Sequence, residues 1–143
     1  RKFQIMPKLD LGLKPEVMLA RVPFFSELDQ SILKEISTLL RPRLALPDEK
    51  IVRKGETGGA MYFVSTGAVE VNIGKEPIRL GSGDFFGEIA LLKDIPRVAD
   101  VTAIAYCQLL MLNVREFRTL MERLPKLSDT IDRVAAARLG EDS

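Results

Sequence analysis

Glu88 and Arg97 are the two residues of this sequence whose types and spacing best suit ligand chemistry. They lie in the stretch GDFFGEIALLKDIPRVADV, which runs from Gly83 to Val101 and is otherwise largely apolar at its centre. A guanidinium can donate two hydrogen bonds to a phosphate, and an ionised carboxylate accepts hydrogen bonds from hydroxyl groups. A ribose phosphate carries both groups and would satisfy both side chains.

The segment between these charges has the composition of a short helix from Glu88 to Leu92, entered through Gly87. A helix N-terminus presents unpaired N–H groups, and glycine lets a ligand approach the backbone. Pro96 fixes the chain just before Arg97. The same spacing also fits a salt bridge between Glu88 and Arg97 that closes the loop, and charge and periodicity do not decide between these interpretations.

Composition excludes several classes of function. The chain has 143 residues, 46% hydrophobic and 29% charged, which fits one globular domain. A net charge of +1 provides no field for nucleic acid, so we expect no nucleic-acid partner. The absence of histidine removes the commonest general base and metal ligand, so we expect no metal and no catalytic residues. Cys107 lies in an apolar run and is predicted to be a buried structural thiol.

Helical periodicity marks both ends of the chain. Pro15 suits a helix start, Pro23 interrupts that helix, apolar spacing resumes after Ser26, and Pro42 is predicted to end the second helix. Asn113 is a good N-cap for a further helix that Pro125 breaks before a last amphipathic segment. The sequence therefore predicts helices before and after a central region.

Short strands fill the central region, from Leu44 to Leu112. Stretches rich in Val, Ile, Tyr and Phe, including the longer VADVTAIAYCQLLML, are separated by glycine-containing turns. Their even spacing favours a β-sandwich or jelly roll over alternating strands and helices. The predicted class is α+β, in three segments: an N-terminal helical linker (1–43), a β region (44–112) with the charged cassette (83–101), and C-terminal helices (113–143).

The cassette FGEIALL, followed by PR and VADV, closely resembles the phosphate-binding cassette of cyclic nucleotide-binding domains. The family includes cAMP and cGMP sensors of protein kinases, gated channels and bacterial catabolite activators. The resemblance implies a jelly-roll barrel of eight antiparallel strands. It also implies that the two C-terminal helices are a hinge and a lid. Further similar stretches follow in the family's order over roughly residues 15–140: VPFFSEL, KGE (54–56), MYFVSTGAVEV (61–71) and LGSGDFFGE (80–88).

The resemblance implies a role for each site residue. Arg97 would pair with the exocyclic phosphate oxygens, and Glu88 would accept a hydrogen bond from the ribose 2′-hydroxyl. The other expected contacts are the N–H groups of Gly87, Ile89 and Ala90, the lining residues Val98 and Ala99, and Val71 against the purine.

The lid helix would cover the base. Arg138 matches an arginine that reaches over the purine in some bacterial channel domains of the family, a cation–π contact. An arginine in the last turn also suits the helix dipole without any ligand. Ile131, Val134 and Leu139 are the alternative apolar caps.

Two positions depart from the family pattern. Many cGMP-preferring members have Thr or Ser where this chain has Val98, so we expect cAMP to be preferred over cGMP. Asp100 replaces a residue that is often small, and strand alternation predicts that its carboxylate points away from the ligand.

The resemblance implies a regulatory domain, not an enzyme, with cAMP or cGMP as ligand and no cofactor. We expect it to regulate an attached cation channel or transporter on the cytoplasmic side of an inner or plasma membrane. Residues 1–19 would form the link, and the N-terminal helices would support a homo-oligomer. Two alternatives remain: an interaction module that has lost nucleotide binding, and the sensor half of a truncated transcription regulator.

Overall fold

Two antiparallel four-stranded sheets form the centre of the computed structural model, which describes residues 14–74 and 76–140. One sheet has the order β1-β8-β3-β6 and the other has the order β2-β7-β4-β5. The predicted eight-stranded antiparallel fold with flanking helices is confirmed. The strands are β1 (Arg41–Ala45), β2 (Lys50–Val52), β3 (Ala60–Thr66), β4 (Ala68–Asn72), β5 (Ile78–Gly81), β6 (Phe85–Phe86), β7 (Asp100–Ala103) and β8 (Cys107–Asn113).

Helices lie on both sides of the sheets in sequence, and one short helix interrupts them. Pro23 and Pro125 each occupy the start of a helix, where the missing N–H costs no hydrogen bond and the fixed φ suits the first turn. Both prolines therefore end one helix and begin the next. The helices are α1 (Pro15–Leu19), α2 (Pro23–Ser26), α3 (Gln30–Ser37), α4 (Glu88–Lys93), α5 (Val114–Arg123) and α6 (Pro125–Leu139).

Several element boundaries differ from those predicted, and a four-residue helix, α2, stands where only an interruption was expected. Helix α3 ends at Ser37, and Pro42 lies inside β1, opposite Leu110. An edge strand tolerates proline because one of its sides needs no ladder hydrogen bond. The long apolar stretch is divided by a bend at Ile104 and Ala105 into β7 and β8, which belong to different sheets.

Among the residues that the structure describes, two apolar clusters form the core. One lies between the helices and the first sheet, and the other fills the space between the two sheets. Cys107 is fully buried in the second cluster, as predicted, and burial raises the pKa of its thiol. No helix in the described part of the chain is long and apolar enough to cross a bilayer.

Candidate functional site

A cavity of about 220 Å³ lies beside α4 and the end of α6, against the second sheet. It brings together the residues that the family resemblance assigned to ligand contacts. Those residues are Val71, Gly87, Glu88, Ile89, Ala90, Arg97, Val98, Ala99 and Arg138. The remaining lining residues are apolar: Val52, Ile73, Ile78, Leu80, Phe86, Val101 and Leu139.

Gly87 allows the chain to enter α4 next to Arg97. Its φ of +89° is left-handed, a region that favours glycine. A Cβ atom at this position would lie 2.9 Å from Arg97 Nη1 and 3.2 Å from the carbonyl oxygen of Ala60. Glycine is therefore required here both by the backbone conformation and by the close approach of the guanidinium.

Arg97 is fixed through its backbone and its side chain. Its N–H donates to the carbonyl of Glu56, and its own carbonyl accepts from the N–H of Gly55, both at 2.8 Å. The guanidinium, only 9% exposed, donates to the carbonyls of Gly87 at 3.0 Å and Ala60 at 2.7 Å. Among the described residues, these side-chain bonds use two of the five N–H donors, which leaves donors for a ligand. Burial lowers the pKa of Arg97.

Glu88 is buried, and its two carboxylate oxygens differ in their hydrogen bonding. The side chain is 1% exposed, and its Oε1 accepts a hydrogen bond from Arg138 Nη1 at 2.9 Å. Its Oε2 is buried and has no hydrogen-bond partner among the described residues. Burial raises the pKa of Glu88, while the positive charges of Arg138 and Arg97 act against that shift. A buried acceptor without a donor is uncommon and suits a hydroxyl brought by a ligand.

The two charges that bracket the cassette do not bond to each other. Within the described residues, Glu88 pairs with Arg138, whereas the guanidinium of Arg97 donates to carbonyl groups. The interpretation of Glu88 and Arg97 as a loop-closing salt bridge is therefore wrong. Both side chains remain part of the cavity wall.

Arg138 reaches the cavity from the last turn of α6. Its guanidinium bonds to Glu88 and lies 5.2 Å from the centre of the Phe85 ring. Of the alternative caps, Leu139 lines the cavity, whereas Ile131 and Val134 belong to the helical core cluster. The pairing of Arg138 with Glu88 was not predicted from the sequence, because it joins residues 50 positions apart.

Asp100 points away from the cavity, as strand alternation predicted. Its carboxylate accepts a hydrogen bond from the backbone N–H of Lys54 at 2.7 Å and another from Lys50 Nζ at 3.4 Å. The Lys54 bond and the nearby positive charges lower the pKa of Asp100. Repulsion between this carboxylate and a bound anion is thereby reduced.

Sequence reasoning missed several residues of the site. One is Gly58, in the loop between β2 and β3, where a Cβ would lie 2.7 Å from Ala90 Cβ and 3.1 Å from Arg97 Cζ. Ile78 and Leu80 line the cavity from β5, and their spacing of two residues in an extended strand could have indicated a shared face. No local signal marks Gly58 as more than a turn residue.

The fold and the cavity together define a small-ligand-binding jelly-roll domain. Comparison with known proteins gives its family: the pattern of the cyclic nucleotide-binding domain matches residues 42–124. The chain belongs to that family, as the cassette suggested. Since this is a binding domain that channel proteins also contain, the prediction of a non-enzymatic domain is confirmed.

Channel proteins are among the relatives of this chain. A cyclic nucleotide-gated potassium channel of Rhizobium etli is 40% identical over 123 residues, which is 86% of this chain and 35% of the relative. The human potassium/sodium hyperpolarization-activated cyclic nucleotide-gated channel 3 is 36% identical over 123 residues, 85% of this chain and 16% of the channel. The chain thus spans about a third or less of these relatives.

A solved structure supports the fold assignment. The regulatory domain of Toxoplasma gondii protein kinase A, crystallised with cAMP, superimposes with a TM-score of 0.67 and 29% identity. The match covers 80% of this chain and 47% of the other. The jelly-roll assignment made from the cassette is therefore confirmed.

Proposed function

We propose that this domain binds a purine cyclic nucleotide, cAMP in preference to cGMP, and regulates an attached effector. Binding is coupled to the effector through movement of α6. The observation that carries the proposal is the buried Oε2 of Glu88, which has no hydrogen-bond partner among the described residues and lies in the same cavity as the guanidinium of Arg97. One group suits a hydroxyl and the other suits a phosphate, and a ribose cyclic phosphate carries both.

The cavity wall supports a ligand with one polar part and one apolar part. The cyclic phosphate contacts Arg97 and the N–H groups of Gly87, Ile89 and Ala90, while Val98 and Ala99 line the same region. The purine packs against Val71 and the other aliphatic side chains of the cavity wall. Burial of this apolar surface favours binding.

The preference for cAMP rests on Val98. This residue lines the cavity and offers two methyl groups where a hydroxyl would be needed to bond a guanine or a phosphate. Guanine brings additional polar groups that lose their water on binding. Without a protein partner at this position, that loss is not offset.

Regulation by α6 is supported by its packing. One apolar cluster contains Ile131 of α6, Phe117 of α5, Ile36 of α3 and Phe25 of α2. Because these helices share one cluster, we expect a shift of α6 to change the packing of the helices that precede the barrel. If the nucleotide binds one position of α6 more tightly, it shifts the population toward that position and biases whatever the N-terminal helices are attached to.

The effector proposed here is a membrane cation channel or transporter, with this domain on its cytoplasmic side. The names of the channel relatives and the small share of their length that the chain spans support this choice. Residues 1–19 form the proposed link to the effector, and the N-terminal helices are the proposed site of homo-oligomerisation. Residues 1–13 lie outside the described residues. The alternative to test is that the domain is the sensor half of a truncated transcription regulator.

The proposal is tested by calorimetric titration of cAMP, then cGMP, into protein that has been unfolded and refolded to remove co-purified nucleotide. We expect saturable binding of cAMP at micromolar concentrations or below, and weaker binding of cGMP. Noncyclic 5′-AMP is the control for the cyclic phosphate, since it carries the same base and ribose with an open phosphate monoester. If neither cyclic nucleotide gives heat or a thermal shift, the domain is an interaction module that has lost nucleotide binding.

A further inference from the structure

The contact between α6 and the cavity is made through a carboxylate. Arg138 Nη1 donates a hydrogen bond to Glu88 Oε1. The same guanidinium lies over the ring of Phe85, with Cζ 5.2 Å from the ring centre. Both partners are protein groups from the segment around α4. The guanidinium is thus oriented by the protein itself.

Glu88 presents two chemically distinct oxygens because of this contact. Oε1 is bonded to Arg138, and Oε2 is a buried acceptor without a partner in the described part of the chain. Turning the carboxylate away from Arg138 would break a charge-assisted hydrogen bond, which is stronger than a neutral one. The arginine therefore fixes the orientation of the carboxylate and with it the position of the second oxygen.

We propose that Arg138 is a positioning residue for the ligand's 2′-hydroxyl: by holding Glu88 Oε1 it presents Oε2 as the acceptor. The docking of α6 and the recognition of the ribose are then coupled through one carboxylate. This inference rests on the proposed binding of a cyclic nucleotide. It differs from a role of Arg138 over the purine, because it acts on the sugar through Glu88.

The charges around Glu88 support the same role. Among the described residues, the charged groups that act on it are Arg138 from α6 and Arg97 from the segment after α4, with Glu56 near Arg97. Burial raises the pKa of Glu88, and Arg138 is the largest influence opposing that rise. Removal of Arg138 therefore favours the protonated acid, which is a weaker acceptor for a hydroxyl.

The test is a thermodynamic cycle between residue 138 and the 2′-hydroxyl. Affinities of cAMP and 2′-deoxy-cAMP are measured by calorimetry for the parent protein, for Arg138→Gln and for Arg138→Lys. We expect the parent to prefer cAMP by about tenfold or more, as for a hydrogen bond to a charged group. Arg138→Gln should lose most of that preference, and Arg138→Lys should recover part of it.

The matched control is Arg133→Gln on the same helix. Arg133 is exposed and bonds to Thr130 of its own helix, so this change should leave the ratio of the two affinities intact. Thermal unfolding without nucleotide checks that the Arg138 variants are folded. A pH series gives a second readout. As the pH is lowered, Arg138→Gln should begin to lose affinity for cAMP at a higher pH than the parent protein does.

The possible outcomes separate this inference from the proposed function. If Arg138→Gln weakens both nucleotides by the same factor, Arg138 acts on the base or the phosphate and the positioning role is wrong. An unchanged pH profile in that variant would contradict it as well. If the parent protein binds neither nucleotide, the proposed function itself fails.

Discussion

Glu88 and Arg97 line one cavity but are held by different parts of the protein. Glu88 is bonded to Arg138 of α6, whereas Arg97 is bonded to the carbonyls of Gly87 and Ala60. The carboxylate therefore depends on the position of the last helix, and the guanidinium depends on β3 and the entry to α4. Substitutions at the two positions should have separable effects.

Arg97→Ala should reduce both nucleotide affinity and stability. We expect a loss of about 2–5 kcal/mol in cAMP binding, as for removal of one member of a buried charged pair. The free energy of unfolding should fall by about 1–3 kcal/mol, because two carbonyl groups lose their donor. Calorimetry and urea unfolding without nucleotide measure the two losses separately.

Arg43→Ala is the control for this experiment. Arg43 also donates two side-chain hydrogen bonds, to Tyr62 and Glu49, but does not line the cavity. It should lose stability and keep its affinity for cAMP. Unchanged cAMP affinity in Arg97→Ala would contradict the assignment of Arg97 to the phosphate.

Gly87→Ala should weaken binding by moving the guanidinium. A left-handed conformation costs a non-glycine residue about 1–2 kcal/mol, and the new Cβ would lie 2.9 Å from Arg97 Nη1. We expect a loss of about tenfold or more in cAMP affinity, equivalent to ~1.4 kcal/mol. Calorimetry measures this change, and urea unfolding measures the loss of stability.

Gly74→Ala separates strain from displacement. Gly74 has a φ of +95°, similar to that of Gly87, but a Cβ there would have no neighbour within 4 Å. The backbone strain is matched, and only the contact with Arg97 is missing. Equal losses of affinity in the two variants would mean that general destabilisation, and not the guanidinium, is responsible.

The sequence predicts most of the elements because their signals are local. Pro15 at a helix start and the N-cap Asn113 are both read within a few residues. The boundary errors have the same origin. Pro42 is a helix breaker in isolation, and only the sheet order shows that it lies in an edge strand.

The cavity lining was anticipated through the cassette, but the pairing of its charges was not. Glu88 and Arg97 are nine positions apart and suggest a pair, whereas the observed partner of Glu88 is 50 positions away. Gly58 was missed because its importance comes from the approach of Ala90 and Arg97, which depends on the folded loop. Periodicity describes local spacing, so it does not show which distant residues the fold brings together.

The stability of Glu88→Gln relative to that of the parent should be higher at neutral pH than at acidic pH. Burial raises the folded pKa of Glu88, so ionised Glu88 costs stability above that value and costs none below the unfolded value. Glutamine does not titrate. The stability of the variant minus that of the parent should therefore rise as pH increases from about 4.3, the usual glutamate value, through the raised folded value.

Glu49→Gln provides a control with the opposite sign. The hydrogen bond from the Leu46 N–H, together with Arg43, lowers the pKa of Glu49, so its ionised form stabilises the fold. The stability of this variant relative to the parent should fall as pH rises through the window between the lowered folded value and the usual value. Urea unfolding across the pH series measures both differences, and slopes of the same sign would contradict the assignment for Glu88.

Val98→Thr should shift selectivity toward cGMP. The two side chains have nearly the same shape, and the threonine adds a hydroxyl to the cavity wall that can bond a guanine or a phosphate. A gain of one hydrogen bond corresponds to about 0.5–1.5 kcal/mol. Competition of cGMP against cAMP measures the ratio of affinities.

Val71→Thr adds the same hydroxyl to the wall from β4, and a similar change there would show that any polar group in the cavity suffices. A constant ratio in Val98→Thr would mean that Val98 does not set the preference.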